Sequence, residues 1–219
     1  CVVEVDDGQA TVLGWAEEQG WTGNEAETAS LVNACDKALL QAENIARSSG
    51  ERWLLPDQLI VGLPASQLRG RSWAIVQQRP ESGRPVDERE LEALLERTLR
   101  LAVNRLVSDL PEDHDWLLID AAPVVLTVDG RGVTDPIGFR GYELGVAVFA
   151  AMARLGVVQT WGAVAKELEF SSLTLTATPL ALASGLPVAH GILVDIGGAA
   201  TDLVWCSAGR PVVLDSLPI

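Results

Sequence analysis

The residues best suited to chemistry sit together in Gly191 to Asp202, which read GILVDIGGAATD. An apolar run ends in Asp195, passes through Gly197 and Gly198, and returns through Thr201 into a second extended run. A tight glycine turn presents backbone N–H groups toward an anion, and glycine lets the chain approach without a Cβ in the way. An aspartate at a strand end can hold a magnesium ion through water, since that ion gives up its hydration reluctantly. Taken alone, the pattern reads as well as a plain hairpin turn as it does a phosphate turn. The candidate site is Asp195, Gly197, Gly198, Ala199 and Thr201, with Asp195 the candidate metal ligand.

Little else in the sequence offers reactive chemistry. Cys1, Cys35 and Cys206 are far apart and show no CxxC spacing, so Cys35 and Cys206 read as small buried hydrophobes on a helix and a strand. His114 and His190 flank strands without a partner motif. The net charge of −14 argues against nucleic acid as a partner, because a phosphate backbone repels such a surface. With 48% hydrophobic residues the chain can bury a substantial core. Its longest apolar stretch, Leu144 to Val158, is interrupted by Arg154 and falls short of the roughly 20 residues a membrane span needs. No basic-then-apolar leader opens the chain, and a soluble, cytoplasmic protein is expected. Because it begins with Cys1 and its one methionine is Met152, the N-terminus is expected to be cut or processed. Leu217-Pro218-Ile219 is likewise expected to stop within a strand leading onward.

The elements that position the candidate turn follow from periodicity. Val2 to Val5 and Ala10 to Trp15 flank Asp6-Asp7-Gly8, a hairpin signal. Asn24 and Glu27 resemble a capping box ahead of a helix whose face runs Leu31, Cys35, Ala38, Leu39, Ala42, Ile45 and Ala46, ended by Gly50. Leu59 to Leu63 is a continuous apolar run, read as a strand covered on both faces. A change comes at Arg69-Gly70-Arg71. Trp73 to Val76 then reads as a strand, and Asp87 caps a helix with Glu90 at its third position. That helix presents Leu91, Leu94, Leu95, Leu99, Ala102, Val103 and Leu106, and Pro111 closes it. Trp116 to Val128 is extended, with Pro123 predicting an edge or a bulge. Asp129-Gly130 turns the chain into a further strand over Tyr142 to Ala150. This strand, helix, strand, strand order predicts a compact α+β unit of about eighty residues, within the usual range of domain sizes. Beyond it come a helix over Leu155 to Leu168, a strand over Leu173 to Ala177, a short helix over Pro179 to Ser184, a buried strand over Ile192 to Ile196, and a hairpin over Leu203 to Leu214.

Several segments together resemble one family. VDIGGAATDLVWCSAGRPVVLDSLPI is similar to the second phosphate-binding hairpin of the actin, Hsp70 and sugar-kinase superfamily, and in particular to that of FtsA, a bacterial cell-division protein. DPIGFRGYELGVAVF resembles the Pro-x-Gly-x-x-Gly segment and following strand of the FtsA inserted subdomain, SHS2. LIVGLPASQLRGR and LEFSSLTLTATPLALASG resemble the strands that lead into that insertion and toward the second phosphate turn. The order is collinear along nearly the whole chain.

The resemblance implies an α/β fold with an α+β insertion, a partial actin-like (ribonuclease H-like) ATPase fold containing an SHS2 (β-α-β-β) subdomain. It divides the chain into residues 1–68, a first actin-like subdomain without its first strand; 69–152, the insertion; and 153–219, the end of the first subdomain and the start of the second domain with its phosphate hairpin. It implies ATP and magnesium as ligands of the parent protein, held at Asp195, Gly197, Gly198, Ala199 and Thr201. It also implies an FtsZ-like partner, self-association through the insertion, and membrane attachment only through a C-terminal helix beyond this chain, at the inner face of the membrane. The parent is expected to be at most a weak ATPase. The piece, with one phosphate turn of two, is expected to be inactive and to bind no nucleotide tightly. Ala199 and Ala200 stand where the family has glycine and threonine, which predicts weaker nucleotide binding than in typical relatives. Two other roles share the superfold: a PilM-like scaffold for type IV pili, and a sugar or acetate kinase. Ile137 to Gly141 favours FtsA over PilM, and no residue announces itself as a kinase base.

Overall fold

A computed structural model describes residues 1–18, 28–48, 56–109, 115–185, 190–197, 200–207 and 210–218. The expected capping box at Asn24 and Glu27, the helix stop at Gly50, Pro111 and His114 lie outside the described residues. The chain divides into two compact units. One holds residues 1–61 and 156–174, the other 62–155 and 175–219.

In the first unit, β1 (Val2–Asp6) and β2 (Gln9–Gly14) form the antiparallel hairpin read from the sequence. Asp7 and Gly8 both take positive φ, 46° and 76°. That is the two-residue turn whose twist matches the flanking strands. Helix α1 (Thr28–Ser48) buries Leu31 and Ala42 and turns Cys35, Ala38, Leu39 and Ala46 partly inward, the expected face, with Ile45 more exposed. It lies close against β2: a Cβ at Gly14 would fall 2.0 Å from the Ala42 carbonyl oxygen. Helix α3 (Leu155–Glu167) ends in a Schellman motif, with Glu169 at φ 59° and Phe170 N–H donating to Ala165 O at 2.9 Å.

β3 (Gln58–Leu63) and β8 (Ser172–Ala177) pair as a two-stranded sheet. Covering on both faces was expected of β3, and the structure corrects this. Val61 and Leu63 are buried while Ile60 is 67% exposed, because a continuous apolar run does not reveal whether a second layer exists.

In the second unit, seven strands among the described residues form one sheet in the order β6-β5-β7-β4-β11-β10-β9. These are β4 (Leu68–Gln78), β5 (Trp116–Val128), β6 (Arg131–Gly132), β7 (Glu143–Arg154), β9 (His190–Ile196), β10 (Ala200–Ser207) and β11 (Arg210–Pro218). β7 is buried along most of its length, and β4 and β5 pair with it on either side. Pro123 predicted an edge or a bulge, and β5 fits both: beyond β7 it is bordered among the described residues only by two-residue β6, and its register slips beside Leu118 and beside Pro123. Asp129 and Gly130 repeat the positive-φ turn of the first hairpin. The Asp129 carboxylate also accepts from the N–H groups of Tyr142 and Glu143 at 2.7 and 2.9 Å.

Helix α2 (Glu88–Ser108) packs Leu91, Leu94, Leu95 and Leu99 on Ile75, Val146 and Val148. The order strand, helix, strand, strand is the one expected. The span 69–152, which the resemblance reads as an insertion, is not set apart as a unit of its own. Residues 62–155 group with 175–219, and β4 meets β11 at Arg71 and Val213. Glycine makes the join possible, since a Cβ at Gly70 would meet Phe149 Cζ at 2.7 Å and Leu214 Cδ1 at 2.8 Å.

Asp87 caps α2 as read from the sequence: its carboxylate accepts from Glu90 N–H at 2.9 Å. That bond first, and then the Arg84 guanidinium at 2.5 Å, hold the Asp87 carboxyl below the usual carboxylate range. A lowered folded pKa stabilises fully above the ordinary aspartate value near 4, and the gain is lost as pH falls through the folded value. Asp87→Asn keeps a capping acceptor but cannot titrate. It should therefore flatten the acid limb of the melting temperature below about pH 4. An acid limb identical to that of the parent protein would show that the charge contributes nothing.

Candidate functional site

The candidate turn joins β9 and β10. Their register pairs Ile196 with Thr201, Asp195 with Asp202 and Val194 with Leu203, and Gly197 N–H donates to Ala200 O at 2.9 Å. Gly198 and Ala199, between those two residues, lie outside the described residues. The β9–β10 hairpin is therefore closed at Gly197 and Ala200. The Gly197 N–H makes that closure and is not offered to an anion.

Residues paired across an antiparallel ladder share a face, and successive residues alternate. Asp195 and Asp202 therefore lie on one face and Thr201 on the other, beside Ile196. The structure does not bring Asp195 and Thr201 together. The side chain nearest the turn on the Asp195 face is Ala200, where the resemblance placed a lost threonine hydroxyl. Asp195 is exposed at the end of β9. A strand buried throughout was expected here, and this is a correction: Ile192, Val194 and Ile196 are 65%, 54% and 77% exposed. β9 is the last strand of the sheet, and among the described residues no element covers that face.

Sequence reading missed Asp202. It is 5% exposed, and its two carboxylate oxygens are both engaged. Oδ2 accepts from Ala65 N–H and Oδ1 from the Ser216 hydroxyl, each at 2.7 Å. It thereby fastens the single 3-10 turn Ala65–Gln67 to the hairpin that carries Asp195. The two opposed carboxylates thus differ: Asp202 is tied into the fold through both oxygens, while Asp195 is exposed. A signal existed in the alternation, which turns Asp202 toward buried Val204 and Cys206, but its backbone partner lies 137 residues away. Burial pushes the thiols of Cys206 and Cys35 up from their ordinary pKa, so neither is a ready nucleophile.

A cleft of about 420 Å3 opens elsewhere, over Gln77, Arg79, Glu81, Arg84, Asp87 and Glu90. Its buried cation is already used. Arg79 forks onto both oxygens of Glu90 at 2.7 and 2.9 Å and donates to the carbonyls of Gly141 and Arg84. Among the described residues no group of three His, Cys, Asp or Glu side chains could hold a metal ion, and no helix is long and apolar enough to cross a membrane.

The architecture is a mixed α/β fold, with a hairpin joining β9 to β10. Over 99% of its length the chain is similar to a chain from a PilM–PilN type IV pilus biogenesis complex, at a TM-score of 0.63 and 20% identity. It spans 57% of that chain's length. No protein-family model and no curated protein matches. At this identity the likeness establishes the fold.

Proposed function

We propose that the chain is part of an actin-fold scaffold of the PilM kind, whose work is to bind a partner protein in a pilus-type assembly. The observation that carries this reading is the likeness along 99% of the chain to a chain of the PilM–PilN complex. The competing reading, an FtsA-like adaptor linking a division ring to the membrane, leaned on Pro136, Gly138 and Gly141. Those glycines have local reasons to be present. Gly138 has φ +85°, and a Cβ at Gly141 would lie 2.5 Å from Val128 Cγ1. The loop requires them whatever the protein does, so they no longer favour division over pilus assembly. Titration of the full-length protein against a PilN-like and an FtsZ-like protein of the same organism tests the choice. Binding to the first alone is expected, and binding to the second alone would overturn the reading.

In this reading Mg-ATP is a ligand of the full-length protein, with Asp195 holding the ion through water. The exposed carboxylate fits that role, whereas the engaged Gly197 N–H does not fit a phosphate donor. Restoring a hydroxyl on the Asp195 face by Ala200→Thr should tighten Mg-ATP binding by roughly tenfold, the worth of one hydrogen bond to a charged group. Asp195→Ala should abolish binding, and calorimetric titration reads both. The present chain alone should turn over no ATP, and turnover lost with Asp195→Ala would contradict this.

A further inference from the structure

Three arginines gather at one end of the central strands of the second unit. Register sets Arg154 opposite Trp116, Met152 opposite both Leu118 and Arg69, and Ala150 opposite Arg71. Residues two apart on a strand share a face, so Arg69, Arg71, Arg154, Trp73, Trp116 and Leu118 look out from the same side. The guanidinium carbons of Arg69 and Arg154 lie 6.0 and 5.7 Å from the Trp116 ring centroid, and that of Arg71 lies 5.6 Å from Trp73. Stacking on an aromatic face restrains a guanidinium and leaves its N–H edges free to fork onto a carboxylate.

All three arginines are exposed, and Leu118 between them is 42% exposed. Arg69 Nη1 donates to its neighbour Leu68 O. Among the described residues, no carboxylate pairs with any of the three, whereas Arg47, Arg79 and Arg84 each have one. Acidic residues outnumber basic ones 30 to 16 in this chain. Three arginines gathered with no carboxylate partner among the described residues are complementary to an acidic group.

We propose that this face docks an acidic segment of a partner protein, with carboxylates on Arg69, Arg71 and Arg154 and an apolar side chain over Leu118. A nucleic acid or an anionic membrane is an extended polyanion and must also approach the rest of a surface carrying −14. A short segment meets the arginines within a Debye length, about 8 Å at physiological salt, and keeps its remainder clear. Leu118 adds contact for an apolar side chain and none for a phosphate. The inference does not rest on the scaffold reading.

The probe is a short fluorescein-labelled peptide of glutamates with interspersed leucines, followed by anisotropy with the whole chain. Saturable binding is expected, weakening with salt and weaker for an all-glutamate peptide. The double variant Arg69→Glu, Arg154→Glu should lose about tenfold or more in affinity, while Arg97→Glu on the exposed side of α2 changes nothing. Arg69→Gln with Arg154→Gln replaces the reversal if that variant melts early. Three results would overturn the proposal: no saturable binding of the peptide, equal loss in the Arg97 control, or tighter binding of single-stranded DNA or phosphatidylglycerol vesicles abolished by the same variants.

Discussion

Replacing Arg79 with methionine should destabilise the protein by about 3–5 kcal/mol, the usual cost of removing one partner from a buried ion pair. Its side chain is 2% exposed, and Glu90, its partner, is 23% exposed. The one guanidinium donates four hydrogen bonds, two to Glu90 and one each to the Gly141 and Arg84 carbonyls. It therefore ties the strand end after β4 to the first turn of α2, to the loop at 79–87 and to the segment entering β7. Methionine fills much of the volume but leaves the Gly141 carbonyl without its donor and the Glu90 carboxylate without its counter-ion. Arg79→Lys should recover little, because an ammonium cannot fork onto a carboxylate while also reaching two carbonyls.

The pH dependence has a definite sign. The Glu90 hydrogen bond raises the Arg79 pKa above an already high ordinary value. A raised pKa gives stability that is fully present below the unfolded value and lost only above the folded one, so the defect should be flat from about pH 6 to about pH 9. Urea unfolding with an unchanged m-value reads the difference. A loss under about 1 kcal/mol, the scale of a surface pair, would show that the clamp is not structural.

What could be read from the sequence was local. Asp7-Gly8 and Asp129-Gly130 encode their turns within two residues, and both take the expected left-handed backbone. Asp87 and Glu90 cap α2 because capping needs only a side-chain oxygen three residues before an N–H. The apolar faces of α1 and α2 follow from a 3.6-residue period. Burial of a strand is different, because it depends on what lies across the sheet. Leu59 to Leu63 and Ile192 to Ile196 look alike as apolar runs, and both expose one row of side chains. The Arg79 clamp and the arginine–tryptophan face likewise depend on register between strands that are distant in sequence. Within the candidate site the hairpin was legible, whereas the exposure of Asp195 and its strand was not. The separation of Asp195 from Thr201 follows from alternation once the turn is known to lie between Gly197 and Ala200, a boundary that the glycine pair alone left open.

Asp202→Ala should cost about 2–3 kcal/mol, because it leaves the Ala65 N–H without an acceptor in a buried place and frees the Ser216 hydroxyl as well. The Ala65 contact joins residues 137 apart and is the longer-range of the two, so most of the loss belongs to it. Asp202→Asn separates the roles of charge and acceptor. Its carbonyl can still receive Ala65 N–H while its amide donates to the Ser216 oxygen, a hydroxyl that accepts as readily as it donates. The asparagine variant should therefore keep more than half of the stability that alanine loses. Ser216→Ala should cost about 1 kcal/mol, and less in the Asp202→Ala background, since the two share a bond. Asp195→Asn removes a like charge directly across the ladder and should leave stability unchanged or slightly raised. If Asp202→Ala and Asp195→Ala proved equally mild in urea unfolding, the division of labour between the two carboxylates would be wrong. Asp195 would then have to be regarded as one more surface acid on the hairpin.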